Sequence, residues 1–253
     1  MNRATSLLLA IAVPVLWQTR ARADERGQQI IEKIDELQTS AHDQYFVFEM
    51  TTYQEGKEPK SMTFEVTIMG TRFRRVKFLA PGDMKGTRML VRALDQMYIY
   101  LPAYRRVRRI ASHVRDQGFM GSAYSYDEMA IVTYADVFDC SLKEETDALY
   151  RLRCNRRPGK SFHYPVMEMD VDKKILRPVE LRFYNEKGTK LKTDYRKDYK
   201  CDAKVKQACT PQYMKLVDHT RGDLYTEMKL KDWKVNTGVD EKFFTVRALQ
   251  RDR

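Results

Sequence analysis

The chain has 253 residues, 43% of them hydrophobic and 32% charged, and a formal net charge of +11. Its mean hydropathy of -0.61 excludes a polytopic membrane protein. Eleven Gly and eight Pro exclude collagen-like and low-complexity chains, and 11% aromatic residues argue against disorder.

Residues 1–23 read as an address. A short basic start at Arg3 precedes an apolar run over 6–17, and Ala21-Arg22-Ala23 has the small-x-small form that a signal peptidase accepts. The run is too short to cross ~30 Å of hydrocarbon comfortably as a helix. We therefore expect a secretory signal cleaved after Ala23, with no lipid anchor because no Cys lies near the cut. Cleavage removes Arg3, Arg20 and Arg22 and no acid, so the net charge falls from +11 to +8.

Residues 24–37 predict a helix, with Ile30, Ile31, Ile34 and Leu37 at helical spacing. The period then changes to two. Strands are expected over 45–53, 61–69, 71–79, 87–93, 96–101 and 105–110, joined by turns at 55–59 and 81–83. The stretch 112–131 lacks clean alternation. Ser125 followed by Asp127 and Glu128 resembles a helix start, so two short helices or a helix and loop are placed there. Alternation resumes over 137–142, 149–153, 164–171, 178–184, 190–200, 213–220 and 225–235, with hairpin turns at 185–188 and 221–223. Residues 240–244 read as a short terminal turn. No Pro/Ser-rich linker divides 24–253, so one domain is expected.

Closely spaced strands with short turns make an antiparallel meander. Its apolar face needs cover, and one N-terminal helix with a short central segment is thin cover. The sheet can answer by curling into an unclosed barrel with the helices as a lid, giving an α+β, mainly β fold around an apolar concavity. The expected lining is Phe46, Phe48, Met50, Met62, Phe64, Val66, Ile68, Val76, Phe78, Met97, Ile99 and Leu101. Thirteen Met favour an adaptable apolar partner. At about 0.8 kcal/mol per buried CH₂, a chain of about a dozen carbons gains ~10 kcal/mol gross.

All four Cys, at 140, 154, 201 and 209, follow the expected signal. Three pairings are possible. Cys140–Cys154 and Cys201–Cys209 are favoured, because each pair brackets a polar segment able to turn back on itself. Zinc would want CxxC-type spacing or nearby His, and neither is present.

Four blocks now stand out. Val-Lys-Phe-Leu-Ala-Pro-Gly-Asp-Met-Lys-Gly-Thr-Arg-Met-Leu at 76–90 is followed by Met-Tyr-Ile-Tyr-Leu-Pro at 97–102. Arg-Arg-Val-Arg-Arg-Ile at 105–110 and Gly-Phe-Met-Gly-Ser-Ala-Tyr-Ser-Tyr-Asp-Glu-Met at 118–129 come next. The series resembles the LolA-like outer membrane lipoprotein-sorting proteins, and the segment Leu-Lys-Asp-Trp-Lys-Val-Asn-Thr-Gly-Val-Asp-Glu-Lys-Phe-Phe-Thr at 230–245 resembles the family's closing strand and helix. The resemblance covers nearly all of 24–253. It implies an unclosed barrel with a helical lid, acting in the periplasm as a monomeric carrier of lipoprotein or lipid acyl chains. It also implies exchange with inner- and outer-membrane donor and acceptor components.

Within that frame, Arg105, Arg106, Arg108 and Arg109 are candidates for head-group or partner contact, and Val107 suggests that Arg105 and Arg109 flank the interior face or its rim. The bland reading is a charged edge strand that blocks aggregation. Phe119 and Met120, between Gly118 and Gly121, are expected as an apolar lid plug on a hinge. No GxSxG elbow, HExxH, P-loop or dinucleotide motif occurs, so no enzyme activity, metal or cofactor is expected. Tyr98, Tyr100 and Tyr104 beside the Arg run imitate a nucleic-acid platform, but export argues against that partner. The rival to a carrier is a sensing adaptor that binds the same cargo and regulates a protein partner.

Overall fold

The computed structural model describes residues 15–252 apart from Asp223, with side chains from residue 24 onward. The expected signal segment before Val15, and Asp223 of the last expected turn, lie outside the described residues. Helix α1 (Val15–Gln38) runs through the expected cleavage point at Ala23. It is followed by β1 (Asp43–Tyr53), β2 (Lys60–Met69), β3 (Phe73–Ala80), β4 (Arg88–Ala93), β5 (Gln96–Leu101) and β6 (Arg106–Arg109). After a segment holding α2 (Tyr126–Ala130) come β7 (Phe138–Glu145), β8 (Leu149–Arg156), β9 (Val166–Asp172) and β10 (Arg177–Tyr184). Then β11 (Lys190–Cys201), β12 (Cys209–Asp218), β13 (Leu224–Val235) and α3 (Val246–Arg251) complete the chain.

The strands form a 13-stranded antiparallel sheet in the order β6-β5-β4-β3-β2-β1-β13-β12-β11-β10-β9-β8-β7. The ends β6 and β7 do not pair, so the barrel is unclosed, as the periodicity predicts. Register follows the alternation. Phe46 faces Val66, Phe48 faces Phe64, and Met50 faces Met62, all on the inner face. Both disulfides join residues directly opposite in a hairpin, Cys140 to Cys154 across β7–β8 and Cys201 to Cys209 across β11–β12.

Helix α1 seals the β7 end. Ile31 and Ile34 enter the core, while the Gln28 side chain accepts from the N–H of Cys140 at 3.1 Å, on the edge strand. An exposed sheet edge invites pairing with another chain, and a helix laid along it removes that risk. The approach is close enough to require a glycine: a Cβ on Gly27 would sit 2.5 Å from the backbone of Ser141 and Leu142. The opposite edge, β6, is guarded by exposed Arg106, Arg108 and Arg109.

The closing segment departs from expectation. Residues 240–244 form a 3-10 turn, as a terminal turn predicts, but a further helix, α3, follows it. Thr245 caps α3 by accepting from the N–H of Ala248 at 3.1 Å. Phe244 and Leu249 pack with Phe73 and Leu90 on the outer face of β3 and β4. Val107 belongs to this outer cluster, opposite Tyr100. Arg109 therefore lies on the outer face, whereas Arg106 and Arg108 share the inner side with Leu101 and Ile99. Arg105 is not in the strand; it caps the preceding turn in a left-handed conformation, φ 50°. This corrects the expectation that Arg105 and Arg109 flank the interior, because the apolar Val107 that suggested it is half-buried in the outer cluster.

Candidate functional site

The segment 110–137 crosses the open gap between β6 and β7. Where two short helices or a helix and loop were expected, it holds 3-10 turns at Ser112–Val114 and Phe119–Gly121 and one short helix, α2. Ser125 starts α2 with a reciprocal cap: its hydroxyl accepts from Glu128 N, and Glu128 Oε2 accepts from Ser125 N at 2.5 Å. Phe119 is fully buried against Phe78, ring centroids 5.7 Å apart, and edge-on to Tyr126 at 5.2 Å. Met120 is partly buried at φ 51°. The expected hinge is a pinned turn. Phe119 N donates to Tyr124 O at 2.6 Å, Arg221 Nη2 donates to Ser122 O at 2.9 Å, and Ala123 N donates to Thr226 Oγ1 at 2.9 Å.

Beneath this lid lies a cavity of ≈ 170 Å³. Of the twelve expected lining residues, Phe46, Phe48, Phe64, Val66 and Ile68 reach it. Met50, Met62, Val76, Phe78 and Met97 are packed into the core, with Ile99 packed against it. Leu101 is half-buried at the end of β5. The reason is that the lid inserts its own side chains, Phe119, Ala123, Tyr124, Met129 and Tyr134, into the concavity. The volume is close to that of an engineered cavity of ~150 Å³ that accepts benzene, and below the ~300 Å³ of the smallest typical ligand pockets. A groove of ≈ 480 Å³ lies across the lid, lined by Arg72, Arg92, Asp95, Asp136 and Lys160 among others. Ile131 and Val132 belong to both walls, so this strap lies between the two spaces.

The strap is held by polar groups that apolar periodicity does not reveal. The Arg74 guanidinium donates to the carbonyls of Met129 and Ile131. Gln38 donates to Val132 O at 2.9 Å. The Asp35 carboxylate accepts from Tyr134 N at 3.0 Å and Ala135 N at 2.7 Å. Glu128 receives Lys192 Nζ at 2.9 Å and Tyr164 Oη at 3.1 Å. The cavity wall is correspondingly mixed. Besides the aromatic stripe the wall holds Arg74, Tyr124, Tyr134, Arg177, Asp194, Arg196 and Tyr199. Arg196 donates to Asp194 through Nε at 3.0 Å and Nη2 at 2.8 Å, and to Tyr134 Oη at 3.0 Å. A sequence signal for these residues did exist. Arg74 is in phase with Val76 and Phe78, and Asp194 with Arg196, so strand alternation places them on one face.

Two lid anchors titrate unusually. Burial raises the pKa of Asp35 to about 6 against the opposing pull of the Tyr134 and Ala135 N–H groups, and Asp136 and Glu32 add to the rise. Burial also raises Asp127 to about 6, with Arg115 and the His163 N–H opposing. Between the ordinary 3.8 and about 6, the folded chain holds protons that the unfolded chain has lost. Stability from these two groups is thus fully present below about 3.8 and is lost as pH rises through about 6. Asp43 acts in the other sense. Burial opposes its ionisation, but hydrogen bonds from Thr237, His42 and Gly238 outweigh this and hold its pKa below 3.8, so its contribution is lost in stronger acid. Thermal melts should show higher stability near pH 5 than near pH 7.5, and Asp35→Asn should flatten that slope. A wild-type slope of opposite sign, or one that Asp35→Asn leaves unchanged, contradicts the assignment.

Residues 70–251 match a family model described as an uncharacterized "-like" protein. The chain belongs to this family. Its fold is LolA-like. A domain described as an outer membrane lipoprotein-sorting protein, from Vibrio parahaemolyticus, superposes with a TM-score of 0.81 at 23% identity, covering 90% of this chain and 100% of that one. A protein from Desulfovibrio piger, of a family of unknown function, gives 0.81 at 23% identity, with 90% and 99% covered. A LolA superfamily protein from Nitrosomonas europaea gives 0.73 at 17% identity, with 88% and 98% covered. No curated protein matches. The unclosed barrel that the resemblance implies is therefore the fold this chain shares with those structures.

Proposed function

We propose that this LolA-like protein is a periplasmic carrier that takes acyl chains of lipoproteins or lipids into its concavity and passes them toward the outer membrane. The observation that carries the reading is the divided hollow. An aromatic and aliphatic stripe from β1 and β2 ends at a strap, residues 129–135, that is tied down by hydrogen bonds. Such bonds exchange with water at a net cost of about 1 kcal/mol each, whereas burying each CH₂ of an acyl chain gains about 0.8 kcal/mol. A ligand chain can therefore displace the strap, merge the cavity with the groove beyond it, and be released when the strap closes. No covalent step is required. Two disulfides and the leader-like segment over 1–23 fit export, with cleavage after Ala23 leaving helix α1 to begin at Asp24.

The exposed edge supplies a docking face for membranes. Arg106 and Arg108 project from the inner side of β6 and Arg109 from its outer side, all exposed beside Arg105. Arg108 lies over the Tyr104 ring at 5.6 Å, and Tyr104 is itself 64% exposed. Cations beside an exposed aromatic suit an anionic lipid surface.

The test is transfer of a fluorescent acyl lipid between donor and acceptor vesicles containing anionic lipid. The protein should accelerate transfer, and Arg106→Glu with Arg108→Glu should weaken vesicle association severalfold at low salt while leaving the fold intact. Unchanged association would remove the edge from the account. Binding of the lipid with no transfer, coupled to altered affinity for a protein, would replace the carrier by the sensing adaptor.

A further inference from the structure

The charges in the cavity wall do not balance. Its two carboxylates already have cations: Asp194 takes Arg196, and Glu128 takes Lys192. Two guanidiniums are left over. Arg74 donates only to the carbonyls of Met129 and Ile131, and Arg177 only to those of Leu176, Leu37 and Gln207. No carboxylate among the described residues pairs with either, and the Nε of each is buried without a hydrogen-bond partner. The Tyr124 hydroxyl, on a residue 6% exposed, is also without a partner in the same wall. Buried donors are normally satisfied, and a buried guanidinium normally faces an oxyanion. The surplus is thus two positive charges and a free hydroxyl beside an apolar stripe.

We propose that the cavity binds a fatty acid, its carboxylate at the Arg74 side of the polar wall with Tyr124 and Arg177 flanking, and its tail against Phe48, Phe64, Val66 and Met228. This deepens the carrier reading and rests on it. With the strap closed, a cavity of ≈ 170 Å³ has no room for the two or three chains of a membrane lipid or lipoprotein, so a single short chain is what it holds without displacing the strap. The choice of a carboxylate over a phosphate rests on size: in a cavity of ≈ 170 Å³ the smaller planar head leaves more room for the chain. Burial lowers the pKa of Arg74 only to about 10, so it remains cationic at neutral pH.

The full-length protein, purified free of lipid, is titrated with octanoic acid, methyl octanoate and octyl phosphate near pH 7.5 at low salt. The acid should bind at least about tenfold more tightly than the ester, a difference of about 1.4 kcal/mol. Arg74→Gln should bring that ratio toward one. Loosening of the strap would change acid and ester together, so the ratio isolates the charge, and Arg74→Lys should restore part of it. Arg177→Gln gives a second reading if Arg74→Gln fails to fold. Equal binding of acid and ester by the unaltered protein overturns the fatty-acid assignment and leaves the apolar-chain reading standing. Octyl phosphate binding more tightly than octanoate overturns the choice of carboxylate. Failure of all three to bind overturns this inference together with the carrier reading.

Discussion

Lys192→Met lowers the stability of the fold by about 3–5 kcal/mol, the cost of leaving one partner of a buried pair without its counter-charge. Lys192 and Glu128 side chains are 7% and 6% exposed, with Nζ and Oε2 2.9 Å apart. The same ammonium donates to Ala123 O at 2.7 Å. Met matches the apolar stem of Lys but supplies neither the charge nor the donor, so Glu128 keeps only Tyr164 and Ser125 as partners. In a chain of this size the loss shifts the melting temperature by on the order of 10 °C. It should fall first on the lid, so limited proteolysis should cut within 110–137 before unfolding is complete. Adding Glu128→Gln should recover much of the loss, because the orphaned charge is then gone. A change under about 1 kcal/mol in the single variant would contradict the assigned role of the pair.

Gly27→Ala should destabilise the protein, although in an exposed helix interior the same change stabilises by about 1 kcal/mol. The inversion of sign comes from contact with backbone. The added Cβ meets Leu142 N, Ser141 C and Ser141 Cα, each at 2.5 Å, and none of these is the end of a movable side chain. Helix α1 must retreat from β7, and the retreat loosens the bond from Cys140 N to Gln28 and the Arg26–Glu145 ion pair at 2.8 Å. Overpacking of this kind costs about 1–3 kcal/mol. Urea unfolding measures the sign directly, and increased dimer formation is expected as the β7 edge becomes available. Greater stability in Gly27→Ala would show that the helix does not press on the strand as described.

The inner stripe of β1 and β2 was readable because one face is covered by apolar side chains and the other carries an exposed polar lattice, such as Tyr45 with Glu65 at 2.9 Å and Glu49 with Lys231 at 3.3 Å. Period two then gives face and register together. In β3 to β6 the same pattern gives pairing without direction. Helix α3 covers the outside, and all four residues from Arg88 to Val91 are buried. Alternation alone consequently puts Val107 on the inner side, and the arginines are misplaced with it. The helix itself was announced only by Thr245 as a cap and by Phe244 and Leu249, a signal short enough to pass for a terminal turn. The cavity was partly legible: its aromatic wall follows from alternation. Its polar wall comes from Arg74, Arg177 and Asp194 on separate strands, and only the curvature of the sheet brings those residues together.

The most direct measurement is native mass spectrometry of the protein recovered from its own bacterial envelope, followed by organic extraction and identification of what is released. The carrier should show a mass increment that disappears on extraction and yields molecules bearing acyl chains. Protein of bare sequence mass, which also takes up no lipid when incubated with vesicles, would contradict it.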